Sequence, residues 1–352
     1  MSWTPLKLST PTRGHVFGGT LIRNRLGRAG LPEGRLAETW EVSDVDEDIA
    51  TVLDGPFAGH SLRELTQKHG EELVGRGWHG EKFPLLTKFI DGTGMLPVHL
   101  HADDETARRL EGQPNGKTEA WHILDAGPGA TALVGLKEDV DKSALHNALL
   151  SGDHDSVMRR LPVRAGDTIY VPGGVLHSFG PETLIYEIEQ TSNIQQHAMP
   201  WNMEDGSPVP ADEQRRNIDK LLEELRTEPR PEFQPGLLIP VEDGVDRRIC
   251  CASPFFALER WGAELGVTMR REFDHALILS NVGAPVTLRA GGHVEQLGRA
   301  ETRLLPAALG RVEIDGPADV LMGWLPELDT DVRAPLKSAG YAPEIIARLG
   351  EV

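Results

Sequence analysis

The sequence predicts an all-β protein with helical insertions, folded as two β-barrels, and three stretches of residues predict it. The first is Val98-His99-Leu100-His101, where two histidines stand two apart in a strand-like segment. Side chains at i and i+2 leave the same face of a strand, so both imidazoles point one way. The second runs from Gly166 through Asp167-Thr168-Ile169-Tyr170-Val171 to Pro172-Gly173-Gly174-Val175-Leu176-His177. It sets an acidic turn, a short apolar strand, a Pro-Gly-Gly corner and a histidine in the order that a jelly-roll barrel needs. The third is the series of short alternating segments from Ile249 to Leu325, which reads as a second, smaller barrel.

Between the two histidine stretches lies Gly116-Lys117-Thr118-Glu119-Ala120-Trp121, with Glu119 eighteen residues after His101. His99, His101, Glu119 and His177 form the candidate ligand set, each ring expected to turn Nε2 inward. Three imidazoles and one carboxylate suit a divalent first-row metal and leave positions open for substrate. Zinc heads the choices, with iron, manganese and nickel also accommodated by such donors. His275 and His293 lack comparable neighbours, so the second barrel is expected to be structural and metal-free.

The remaining elements follow from periodicity. Leu62, Leu65 and Leu73 after Ser61 predict a helix over 61–76. The pattern over 83–124 is strand-like. Lys142 to Leu150 and His154 to Arg160 read as two helical pieces, suited to cap the barrel mouth. Strands resume at 167–171 and 183–190. Ile218, Leu221, Leu222 and Leu225 give a charged amphipathic helix over 212–226. It stops before Thr227-Glu228-Pro229-Arg230-Pro231, the clearest linker. One short helix is expected after Ala342-Pro343. The implied division is a metal-binding unit at 1–204, a helical linker at 205–245, a second barrel at 246–330 and a tail at 331–352.

Composition bounds the partners. The chain of 352 residues is 39% hydrophobic and 26% charged, with a net charge of −18. That balance argues against nucleic acid, and any anionic substrate must meet a local cluster of cations. No apolar run reaches the 18 or more residues of a membrane span. The start, Met1-Ser2-Trp3-Thr4-Pro5, lacks the order of a signal peptide. The only cysteines, Cys250 and Cys251, are adjacent. A cytoplasmic, disulfide-free protein is expected; the oligomeric state is not legible.

Strand alternation also says what faces the metal. Lys117 shares its face with Glu119 and Trp121, so an inward Lys117 needs an anionic partner. Glu187, a substrate phosphate or an enediolate could serve. Ile185, Glu187 and Glu189 likewise share one face, and two carboxylates on one side of a short strand suit a cavity for metal and polar substrate.

These segments, together with Val16-Phe17-Gly18-Gly19, Glu38-Thr39-Trp40, Phe83-Pro84-Leu85-Leu86-Thr87-Lys88 and Glu187-Ile188-Glu189-Gln190, resemble the short bacterial class of type I mannose-6-phosphate isomerases, within the cupin superfamily. The resemblance implies two cupin-type jelly rolls and a metal-dependent aldose–ketose isomerase acting through an enediolate. It also implies an active-site role for Glu187. Two departures stand out. The family usually has glutamine or lysine where this chain has His99. The arginine that the family carries ten residues after the strand glutamate falls on His197; Pro200 replaces a neighbouring aspartate, and Ala102 replaces a proline.

The chemistry such residues allow is proton movement between C1 and C2 of a sugar or sugar phosphate. A metal and Lys117 would steady negative charge on oxygen, while Glu187 and His197 would handle protons. Two other readings fit the same residues: an Fe(II) oxygenase of the same fold, and a sugar-binding relative without catalysis. Loss of a permanent cation at His197 weakens phosphate recognition, since histidine lacks arginine's bidentate fork.

Overall fold

The computed structural model describes residues 2–352 and contains four antiparallel sheets in two pairs. In the first pair, a large sheet runs in the order Thr12–Arg13, Glu38–Val42, Leu85–Gly92, Thr183–Gln190, Glu119–Ala126, Thr168–Val171. Its small partner runs Gln196–His197, His99–Leu100, His177–Gly180, Thr131–Leu136, Met158–Pro162. The second large sheet runs Leu237–Pro240, Val245–Ala252, Ala257–Ala263, Ala318–Trp324, Leu277–Asn281, Thr302–Leu305. Its strands follow the same pattern as those of the first, with the fourth strand entering late from the chain's far end. The protein is thus a structural repeat that its sequence hides.

Alternation divides each large sheet into an inner and an outer face. On the first, Ile90, Ile185, Ile123 and Ile169 point inward and meet Ala132, Val134 and Phe179 of the small sheet. The outer residues Phe89, Tyr186, Ile188 and Ala120 pack against Leu258, Ile278 and Leu321 of the second large sheet. The two pairs therefore stand back to back, large sheet on large sheet. The Tyr186 hydroxyl lies 3.1 Å from Ser280 Oγ, and Arg260 donates to His122 Nε2 at 3.2 Å across this seam. Gly323 is needed here, because a Cβ would fall 2.6 Å from Ile188 Cδ1. The N-terminal segment joins the same seam: Leu6 bridges Leu304, and both are buried.

Several sequence expectations need correction. The helix after Ser61 forms as Leu62–Lys68 and Gly70–Leu73, started by a capping box between Ser61 and Glu64. The stretch expected to be strand-like throughout 83–124 turns helical at Asp104–Thr106 and Ala107–Glu111, where the Asp103 carboxylate accepts from Thr106 N at 2.8 Å. Residues 158–160 are not helical: His154–Val157 ends the helix, and Met158–Pro162 pairs with Thr131–Leu136 as an edge strand. Ladder bonds outweigh local helix preference there. The helical insert does not cap the barrel mouth. Val98 and Leu100, which alternate with the inward histidines, point outward and bury themselves under Leu145, Leu149, Ile218 and Leu221. The insert and the helix Ala211–Glu224 thus cover the back of the small sheet. The tail holds more helix than expected, and Val332, Leu336, Ile346 and Leu349 fill the second core. No helix among the described residues is long and apolar enough to cross a membrane.

Helix Ala211–Glu224 ends on a titratable contact. Glu224 is 3% exposed; its burial, followed by the neighbouring carboxylate of Glu111, pushes it up to about 8, against the pull of Lys220. A carboxyl raised on folding binds its proton more tightly in the native state, so its contribution is full below the unfolded value of 4.5 and is lost as pH rises toward 8. Glu224→Gln should therefore unfold at a higher temperature than wild type at pH 9, with the difference vanishing near pH 5. Thermal melts across that range check it; a constant offset would contradict it.

Candidate metal centre and its buried charges

Register brings the functional side chains into rows. Glu187 lies between Lys88 and Trp121 on neighbouring strands, Glu189 lies beside Glu119, and Trp40 pairs with Lys88. Across the barrel, His99 is flanked by His177 on one side and His197 on the other. Directly opposed residues on antiparallel strands share a face, so the three rings form one row looking at the carboxylates.

His99, His101, Glu119 and His177 place their ligand atoms within 4.8 Å of one another. His99 Nδ1 lies 2.8 Å from Pro97 O, and His177 Nδ1 lies 2.7 Å from Val175 O. A carbonyl oxygen only accepts, so each Nδ1 carries a proton and Nε2 is the nitrogen turned inward. Burial holds His99 and His101 well below the usual histidine range, with His177 adding to the effect on His99 and Lys117 to that on His101. At pH 7 both are neutral, as a ligand must be. His177 Nε2 then lies 3.1 Å from Glu119 Oε1 with no hydrogen bond between them. Buried His177 Nε2 and both Glu119 oxygens, left without hydrogen-bond partners and converging with two more imidazoles, fit a divalent metal. His101 differs from the sequence expectation of inward Nε2. Its Nδ1 faces Glu119 Oε2 at 3.5 Å, while Nε2 lies 3.2 Å from Lys117 Nζ.

A second group of converging carboxylates, Glu119, Glu187 and Glu189, adjoins the first. Here the cations are already supplied by the chain. Lys117 Nζ lies 3.1 Å from Glu119 and 2.8 Å from Glu189. Lys88 Nζ lies 2.9 Å from Glu187 and 2.8 Å from Glu189. Of the anions suggested for Lys117, Glu187 instead takes Lys88 and accepts from Trp121 Nε1 at 3.0 Å. Burial alone would drive the lysine ammonium groups neutral, but the carboxylates outweigh it and hold both above the usual range, with Glu187 leading at Lys88 and Glu119 at Lys117. The two strand carboxylates are pushed apart. Glu189 is raised by burial and by Glu187, whereas Glu187 overcomes its burial through Lys88 and Lys117 and stays ionised.

Lys88 and Glu189 were missing from the candidate catalytic set. The signal for Lys88 was its position between Leu86 and Ile90 on an inward face; its partner depends on a strand register that no local pattern states. His197 sits at the rim, half-buried, with Nδ1 unbonded; burial holds the ring below the usual histidine range and outweighs the opposing effect of Glu204 and Glu213. Beyond it, Trp40 carries Lys88 at 4.9 Å and Arg13 at 4.7 Å from its ring centre, and donates to Glu38 at 2.7 Å. His275 and His293 belong to neither converging group; the former stacks on Trp324 with ring centres 6.1 Å apart.

Removing one member of such a set strands its partners. Lys88→Met should destabilise the protein by about 3–5 kcal/mol, the usual cost of an uncompensated buried charge. Adding Glu189→Gln should restore part of the loss. Urea denaturation at pH 7 of both variants checks this, and a single variant as stable as wild type would contradict it.

No protein-family profile matches the chain. It is similar to the mannose-6-phosphate isomerase of Streptococcus mutans, at 28% identity over 90% of this chain and 97% of that one. It is also similar to mannose-6-phosphate isomerase ManA of Bacillus subtilis, at 26% identity over 92% and 100%. A crystal structure of the mannose 6-phosphate isomerase from Bacillus subtilis superposes with a TM-score of 0.81 at 25% identity, over 91% of this chain and 99% of that one. A phosphomannose isomerase variant from Salmonella typhimurium shares the fold, with a TM-score of 0.72 at 13% identity, over 92% and 100%.

Proposed function

We propose that the protein is a metal-dependent aldose–ketose isomerase acting on a sugar or sugar phosphate through an enediolate. The observation that carries this reading is the adjacency of a metal-ready donor set to two buried carboxylates held by Lys88 and Lys117. The names of the relatives support it. We read the two sheet pairs as cupin-type barrels. The reaction belongs to residues 1–204, and the second barrel, 246–330, has a supporting role. The expectation of a cytoplasmic enzyme stands with this reading.

Each residue then has a task. His99, His101, Glu119 and His177 would hold one divalent ion, zinc by the chemistry of the donors, which as a Lewis acid would polarise the substrate oxygens. Glu187, ionised and fixed by Lys88 and Trp121, is placed to take the proton that leaves carbon. Glu189, whose carboxyl is raised by burial and by Glu187, is the complementary acid; pairs pushed apart in this way divide acid and base roles. Lys117 keeps a permanent positive charge beside the metal set and steadies oxygen as charge builds on it. His197, neutral at pH 7, can accept or relay a proton at the rim.

A neutral His197 supplies no cation for phosphate. His197→Ala should lower kcat/KM by about 10²-fold, the usual scale of acid–base assistance, with metal content unchanged. His197→Arg should shift preference toward the phosphorylated form of a sugar. Steady-state kinetics on paired sugars and phosphates tests both, and an unchanged alanine variant would make His197 a bystander.

The reaction itself is tested by incubating metal-loaded protein, without oxygen, with aldoses, ketoses and their phosphates, including mannose 6-phosphate, in deuterated water. Deuterium at C1 or C2 is expected. Its absence from every sugar, or a strict need for oxygen, would overturn the isomerase reading.

A further inference from the structure

A cavity of about 800 Å³ lies at the seam between the N-terminal segment and the second sheet pair, away from the metal centre. Its charged lining consists of Lys7, Arg28, Arg299, Arg303, Glu41 and Glu301. Four cations meet two carboxylates there, in a chain with 54 acidic and 36 basic residues. The local balance therefore opposes that of the molecule.

Two of the cations are structural. Arg28 pairs with the buried Glu41 and donates to Thr10 Oγ1 at 2.9 Å. Arg303, with its side chain 7% exposed, holds Glu295 Oε2 at 2.7 and 3.0 Å. The other two have no carboxylate partner among the described residues: Lys7 on the N-terminal segment and Arg299 on the second sheet pair. They line one cavity from two different parts of the chain, joined by the hydroxyls of Thr10, Thr12 and Thr302. Arg299 is exposed and donates to Val282 O at 3.1 Å; with no carboxylate against Lys7 or Arg299, the lining keeps an excess of positive charge that suits an anion. The volume exceeds that of a lone phosphate, and the hydroxyls together with Glu41 and Glu301 can bond a polyhydroxyl body.

The position of the cavity adds a consequence. Thr12 and Glu41 line it, while their chain neighbours Arg13 and Trp40 turn to the other face, where Arg13 lies over the Trp40 ring and that ring contacts Lys88. One pair of strands, Thr12–Arg13 and Glu38–Val42, thus borders both the cavity and the reaction mouth. We propose that this cavity binds a phosphate monoester of sugar or nucleotide size as an effector that stiffens the two strands. The inference does not depend on the reaction assigned to the barrel.

Adenosine monophosphate, which no aldose–ketose isomerase can convert, is a suitable probe, with inorganic phosphate as its minimal form. Calorimetry on metal-loaded protein should show binding to wild type and at least tenfold weaker binding to Lys7→Gln/Arg299→Gln. A control with the same net charge, Lys142→Gln/Arg270→Gln, should bind as wild type does. Hydrogen exchange should slow in Glu38–Val42 when the probe is bound. Equal affinity in the first variant, equal weakening in the control, or no binding by wild type would overturn the site. Binding without slowed exchange in that strand would overturn the effector role.

Discussion

Five charged side chains share the dry interior of the first sheet pair, and the rest of the structure is arranged to tolerate them. Glu119, Glu187 and Glu189 bring three carboxyl groups; Lys88 and Lys117 bring two ammonium groups. Each ion taken from water costs several kcal/mol, a cost that is offset only when partners are close and fixed. Strands of eight residues at Leu85–Gly92 and Thr183–Gln190 provide that fixity, since a slip of one residue would turn Lys88, Glu187 and Glu189 into the apolar seam. The Glu119 oxygens, facing His177 and His101 beside the inward nitrogen of His99, are what suit the interior to a single divalent ion. With such an ion bound, the interior carries net positive charge, which favours an oxyanion over a neutral sugar.

That arrangement accounts for the second sheet pair. The first large sheet cannot expose its outer face, where Tyr186, Ile188 and Phe89 stand. The second large sheet covers it, with Gly323 allowing the approach to Ile188. The strand that bears Glu187 and Glu189 is therefore buried on both faces, one by the charge network and one by the second pair. Rigidity at the acid–base pair follows from this packing.

Much of the site was legible because it is local. The spacing of His99 and His101, the strand reading around Glu119 and the Pro-Gly-Gly corner before His177 are all statements about neighbouring residues, and the structure brings the four together. Lys117 was legible as an inward cation by alternation, but its true partners, Glu119 and Glu189, were only partly so. Lys88 was not found, because its meaning lies in cross-strand register. The helical insert was misplaced for a similar reason: Val98 and Leu100 show that the back of the histidine strand needs cover, a requirement visible only once the histidines are known to face inward. Met158-Arg159-Arg160 followed a helical pattern until an edge of the small sheet claimed it. The repeat of strand order between the two pairs left no trace in sequence, since it is kept by backbone pairing and not by side-chain identity.

The chain's own ammonium groups stand where a second cation would, which leaves the interior room for one metal and no more. Anomalous diffraction from metal-loaded crystals tests it most directly. One peak per chain is predicted, at about 2.0–2.3 Å from His99 Nε2, His177 Nε2 and Glu119. A second peak between Glu187 and Glu189, with Lys88 or Lys117 displaced, would contradict it, as would a single peak away from the histidines.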